Sequence, residues 1–224
     1  MNKKYYHTLA EGAETLETRE FALDSMVGLT PNRVVAEVVN FKGRNCLEVK
    51  YLPGAPVIVG DPPDFAYFPE IDLQDGLIEV DVAGDVASDA PELARGFVGV
   101  AFRITPDFVH EGLYIRPANG RAEDQVRRNH SCQYYAYPDF PWNRLRSEEP
   151  EKYESYVDLE MNAWTHLRIE LRGARARLYV HGNEHPTLVV NDMKLGSSRR
   201  GYVGLWIAVG TIAHFSNLKI TKWK

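Results

Sequence analysis

The five runs WTHLRIELRG (164–173), ARARLYVHGNE (174–184), LVVNDM (188–193), GYVGLWIAVG (201–210) and AHFSNLKITKW (213–223) decide the fold. In the first, Leu167, Ile169 and Leu171 alternate with His166, Arg168 and Glu170. A period of two is the signature of a half-buried strand, because successive side chains leave a strand on opposite faces. The runs are short, are separated by Gly and Asn turns, and never give way to an amphipathic helix. That spacing predicts an all-β chain, an antiparallel β-sandwich of the jelly-roll kind.

The same reading extends toward the N-terminus. GLIEVDVAG (76–84) places Ile78, Val80 and Val82 on one face and Glu79 and Asp81 on the other. VVAEVVNFKGRNCLEVKY (34–51) reads as a hairpin closed near Asn40, Gly43 and Asn45. The following stretch, 52–76, carries five prolines, which exclude continuous pairing in a central strand and predict a loop around an edge or rim. Residues 1–20 read as a polar extension, and the chain as one domain spanning 1–224. The segment 138–161 is a long excursion, with a helical turn or two expected in RSEEPEKYESYVDLE (146–160).

Between these lies RGFVGVAFRITPDFVHEGLYIRPANGRAEDQVRRNHSCQYYAYPDFPW (95–142), richer in arginine, tyrosine and tryptophan than a plain core requires. Alternation sets Val98, Val100, Phe102 and Ile104 against Phe97, Gly99, Ala101 and Arg103. The second face, floored by small residues and carrying one cation, has room for a ligand. Tyr114 with Arg116, and Tyr135 with Tyr137, continue that polar and aromatic surface, and RAEDQVRRNH (121–130) reads as a solvated loop of mixed charge.

The 224 residues carry a net charge of -5, which gives no general attraction to nucleic acid or to an anionic membrane. No apolar run approaches the ~20 residues needed to span a bilayer. The start, MNKKYYHTLAEGAETLE, has no secretory apolar segment, so the expected location is cytoplasmic as written, or secreted or periplasmic if a signal has been trimmed. Cys46 and Cys132 lack metal or disulfide spacing and are expected to be free thiols. The histidines are scattered, HGNEH (181–185) sits on a turn, and no metal or cofactor is assigned.

The runs NAWTHLRIELRG, RLYVHG and GYVGLWIAVGTIAHFSNLKI resemble the concanavalin A-like lectin/glucanase superfamily, and within it the laminin G-like modules and bacterial 3-keto-disaccharide hydrolase type domains. The resemblance covers roughly residues 21–223 and implies two curved antiparallel sheets with a sugar on the concave one. It does not bring a glucanase mechanism with it. Glu79-Val80-Asp81 supplies two of the three alternating acids and Ala83 stands where the third belongs.

Three functions remain open from sequence: a carbohydrate-binding protein, a glycoside-cleaving hydrolase or lyase acting by proton abstraction beside a keto group, and a protein-interaction module. Catalysis would fall to His166 and Glu170 with Arg103 and Arg116. Sugar contact would fall to Trp206, expected on the same surface as Arg103, together with Tyr114, Tyr135, Trp142 and Arg168.

Overall fold

The computed structural model describes residues 8–224 except 53, 55, 57 and 59; the first seven residues of the polar extension lie outside the described residues. In chain order the strands are β1 Thr15–Phe21, β2 Thr30–Asn32, β3 Val34–Phe41, β4 Arg44–Tyr51, β5 Phe65–Leu73, β6 Gly76–Val86, β7 Val98–Ile104 and β8 His110–Ile115. They continue as β9 Cys132–Tyr137, β10 Glu154–Ser155, β11 Thr165–Arg172, β12 Arg175–Val180, β13 Leu188–Val190, β14 Gly201–Ile207 and β15 Thr211–Trp223. Three short helices interrupt them: α1 Pro117–Gly120, α2 Gln125–Asn129 and α3 Trp142–Glu148. None is long or apolar enough to cross a membrane among the described residues.

The strands form two antiparallel sheets. Sheet A runs β13-β12-β11-β6-β15-β4-β3, with β1 also on β15, and sheet B runs β10-β9-β8-β7-β14-β5-β2. Alternation built the core between them: Ile78, Val80, Val82, Leu167, Ile169 and Leu171 from sheet A meet Val98, Val100, Phe102, Val203, Leu205 and Ile207 from sheet B, all fully buried. The 34–51 hairpin turns through Lys42 and Gly43, both at positive φ, the type I′ geometry that suits the strand twist. Cys46 and Cys132 are free and buried, on different sheets.

Three local expectations need correction. The proline-rich stretch is not all loop, since residues 65–73 pair between β14 and β2 as β5, with Pro69 in the irregularity where the register of β14 shifts. Part of the polar extension is β1, an exposed strand held by its backbone pairing to β15. The helix of the long excursion begins at Trp142, before the expected segment.

The fourth correction concerns Arg103. Between Tyr202/Ile104 and Gly204/Ala101 the β7–β14 register slips, and Arg103 takes a φ of 54°. Such a bulge re-aims side chains. Ile104 therefore joins Ala101 on the outer face, and Arg103 leaves it. Fully buried, its guanidinium donates to the carbonyls of Gln74 (2.9 Å), Gly173 (2.8 Å) and Gly196 (3.2 Å), and it pairs with Asp75 at 3.1 Å and with buried Glu111 at 3.6 Å. It clamps three connections at one end of the sandwich. Removing one partner of a buried, hydrogen-bonded charge pair costs about 3–5 kcal/mol. Arg103→Met is expected to lose stability on that scale in urea unfolding, whereas a loss below about 1 kcal/mol would mean that the clamp is not structural.

Candidate functional site

The outer face of sheet B carries a second apolar cluster, Phe65, Ala101, Ile104, Tyr114, Tyr135, Trp206 and Ala208. Small residues on this face were expected to leave room for a ligand, but its glycines make room for rings of the protein itself. A Cβ at Gly99 would come within 2.5 Å of the Tyr114 Cβ, and one at Gly112 within 2.3 Å of the Tyr135 ring. Both tyrosines are thus held low on the sheet, tilted against Trp206 with ring centroids 4.7 and 5.2 Å away. Trp206 is itself fully buried and donates Nε1–H to Pro62 O at 2.8 Å. It is a floor, where an exposed ring was expected.

Beside this floor opens a pocket of about 370 Å³ whose walls come from the loop before β5, the loop before β7, α1, α2 and α3. Half-exposed Trp142, at the start of α3, and half-exposed Phe97 are the aromatic rings most open to it. The Arg146 guanidinium lies 4.5 Å over the Trp142 ring, and that of Arg116 lies 4.9 Å over Tyr114.

Arg116 organises the polar wall. Nearly buried, it donates to the Tyr114 hydroxyl (2.8 Å), Gln133 Oε1 (3.0 Å), His130 O (3.0 Å) and Glu154 Oε1 (3.1 Å). Glu154 also accepts from Arg146 Nε at 2.9 Å. Burial works to raise the Glu154 carboxyl, but Arg146 and Arg116 hold it below its usual range. On the other side of Tyr114 stands Asp61, also buried, whose Oδ2 accepts from the Trp142 backbone N–H at 2.6 Å. Burial dominates here and pushes Asp61 up to about 7, against the opposing pull of that hydrogen bond, Arg116 and Tyr114. Asn119 is 5% exposed, donates to His130 O, and keeps an Oδ1 with no partner. A buried acceptor left unpaired is costly.

The structure gathers Tyr114, Tyr135, Arg116, Trp142 and Trp206 around one face, with Tyr135 beneath the surface. It does not bring His166, Arg168 and Glu170 to them. Those three leave β11 on the outer face of sheet A, with the whole core between. His166 Nδ1 lies 2.9 Å from Asp81 Oδ1, and Glu170 is buried under Thr8, Leu9, Arg168 and Tyr179, which all donate to it. Sequence reasoning missed Asp61, Arg95, Asn119 and Arg146. Their one sequence signal is position in the connections between strands.

Sequence comparison gives no match, either to a family model or to a curated protein. Comparison of structures does. A protein with a galectin-like fold from Bacillus subtilis is similar with a TM-score of 0.58 and 10% identity, over 94% of this chain and 98% of that one. The fold is a galectin-like, concanavalin A-like jelly roll. The carbohydrate-binding module CBM66 of Bacillus subtilis is similar at a TM-score of 0.52 and 16% identity, over 86% and 94% of the two chains. Domain 4 of AbnA, an extracellular arabinanase from Geobacillus stearothermophilus solved with arabinotriose, is similar at 0.50 and 12%, over 94% and 93%.

The position of Asp61 has a measurable consequence. Its pKa is about 7 folded against 3.8 as a free side chain, so the folded state binds the proton more tightly and stability falls as pH rises from about 4 to about 7, then levels. The ceiling is ~4 kcal/mol. Asp61→Asn carries no such cost. Its melting temperature is expected to gain on that of the native chain across this window and to run parallel above it; a gain toward acid would mean that Asp61 is ionised in the fold.

Proposed function

We propose that this protein binds a carbohydrate in the pocket on the outer face of sheet B. The observation that carries the reading is the pair of rings of Trp142 and Phe97 set beside the planar hydrogen-bonding groups of Arg116, Arg146 and Asn119 in one pocket. A pyranose has an apolar face that stacks on a ring and an edge of hydroxyls that donate and accept, and this wall offers both chemistries. Two of the structurally similar proteins support the reading, one by its name as a carbohydrate-binding module and one by its bound arabinotriose.

Trp142 carries the stacking contact in this scheme and Trp206 supports it from below. Trp142→Ala is expected to weaken binding of the best ligand in an oligosaccharide panel by ~1–3 kcal/mol in calorimetry, with the melting temperature little changed. Trp206→Ala removes a fully buried ring and is expected to cost ~3–5 kcal/mol of stability. If Trp142→Ala binds as well as the native chain, the pocket is not where the sugar lies.

A second reading, glycoside cleavage, is favoured by Asp61. A buried carboxyl titrating near neutrality between Tyr114 and the Trp142 backbone is suited to accept a proton from carbon beside a keto group, a reaction the sequence left open as an alternative, with Arg116 nearby to stabilise the oxyanion. Turnover of keto-glycosides should then rise with pH through about 7 and fall 100-fold or more in Asp61→Asn, while binding persists. An absence of turnover across such a panel leaves the binding reading alone.

A further inference from the structure

Four arginines, Arg95, Arg116, Arg127 and Arg146, line this one pocket in a chain whose net charge is -5. The carboxylates at hand do not balance them. Glu154 alone serves both Arg116 and Arg146. Arg95 Nη1 donates to the carbonyls of Glu92 and Ala94, and Arg127 Nη2 donates to Ala118 O at 3.3 Å; among the described residues neither pairs with a carboxylate. The cations feel one another. Burial first, then Arg127 and Arg116, pull Arg95 below its usual value. His130 is lowered by burial too, with Arg146 and Arg116 opposing Glu154. Like charges gathered in a partly dry pocket are unfavourable until an anion joins them.

The surroundings select among anions. Planar guanidinium forks match a carboxylate with two parallel hydrogen bonds. A free phosphate or sulfate ion brings no apolar face for the rings, so the anionic group belongs on a sugar. Taking the carbohydrate reading of this pocket as given, we propose that its ligand is an acidic sugar, a uronic acid residue of an oligosaccharide. The carboxylate lies against Arg95 and Arg127, and the ring covers Trp142 and Phe97.

Matched ligands test this. Calorimetry on the native chain would compare oligomers of galacturonate, glucuronate and mannuronate with their methyl esters, which keep the rings and remove the charge, with neutral and sulfated oligosaccharides alongside. The best acid is expected to bind about 10-fold or more tighter than its ester, as a charge-assisted pair implies, and to weaken with added salt. In Arg127→Gln, on an exposed position that puts little of the fold at risk, and in Arg95→Gln, that preference should shrink toward one. Esters that bind as well as acids, or neutral sugars that bind while acids do not, overturn the acidic ligand and leave the carbohydrate reading standing. Sulfated sugars that outbind carboxylates overturn the uronate. If no glycan in any set binds, both readings fall together.

Discussion

The Arg116–Glu154 pair is the contact on which this face of the molecule depends. Both groups are almost out of water, and the desolvation of a buried ion pair is repaid only when the remaining donors and lone pairs are satisfied as well. Here they are: the Arg116 fork reaches Tyr114, Gln133 and the His130 carbonyl, while Glu154 takes Arg146 with its other oxygen. Glu154 lies in β10, the edge strand formed by the long excursion after β9, and Arg146 lies in α3 of the same excursion. The pair thus holds that excursion down over sheet B, and a wall beside Trp206 exists because it is held there.

A second anchor comes from the opposite direction in sequence. Asp61 belongs to the loop before β5, yet it accepts the N–H of Trp142 at the start of α3. Pro62, its neighbour, receives the Trp206 indole N–H. Two loops some eighty residues apart are therefore fastened to each other and to the floor between them. The resulting concavity is made by loops on a rigid sheet, the usual division of labour between scaffold and site.

Most of the fold was legible because strands such as β6 and β11 are half buried, and half burial writes a period of two into them. β1 escaped notice because its side chains are nearly all exposed: the backbone pairing that holds it leaves no apolar trace. Arg103 was misplaced because a bulge shifts the phase of alternation, and no side chain announces a bulge of this kind. The gathering of His166 and Glu170 with Arg116 failed for a more general reason. Alternation separates inside from outside, but a sandwich has two outsides, and only pairing order says which strand shows which. Asp61 was silent in the sequence since its chemistry comes from burial beneath residues far along the chain.

Those same facts bear on how charge is handled in the pocket. Asp61 Oδ2 is engaged by the Trp142 N–H, a donor that serves the carboxylate and the neutral acid alike, so the exchangeable proton belongs on Oδ1. Gaining or losing it does not require the two loops to part. Ionised, Asp61 opposes the arginines across Tyr114; protonated, it leaves them with Glu154 as the one negative partner in the wall. The wall can therefore change its net charge near neutral pH while the Trp142 ring and the Trp206 floor keep their places, so recognition of the apolar face of a ligand is separable from recognition of its charge.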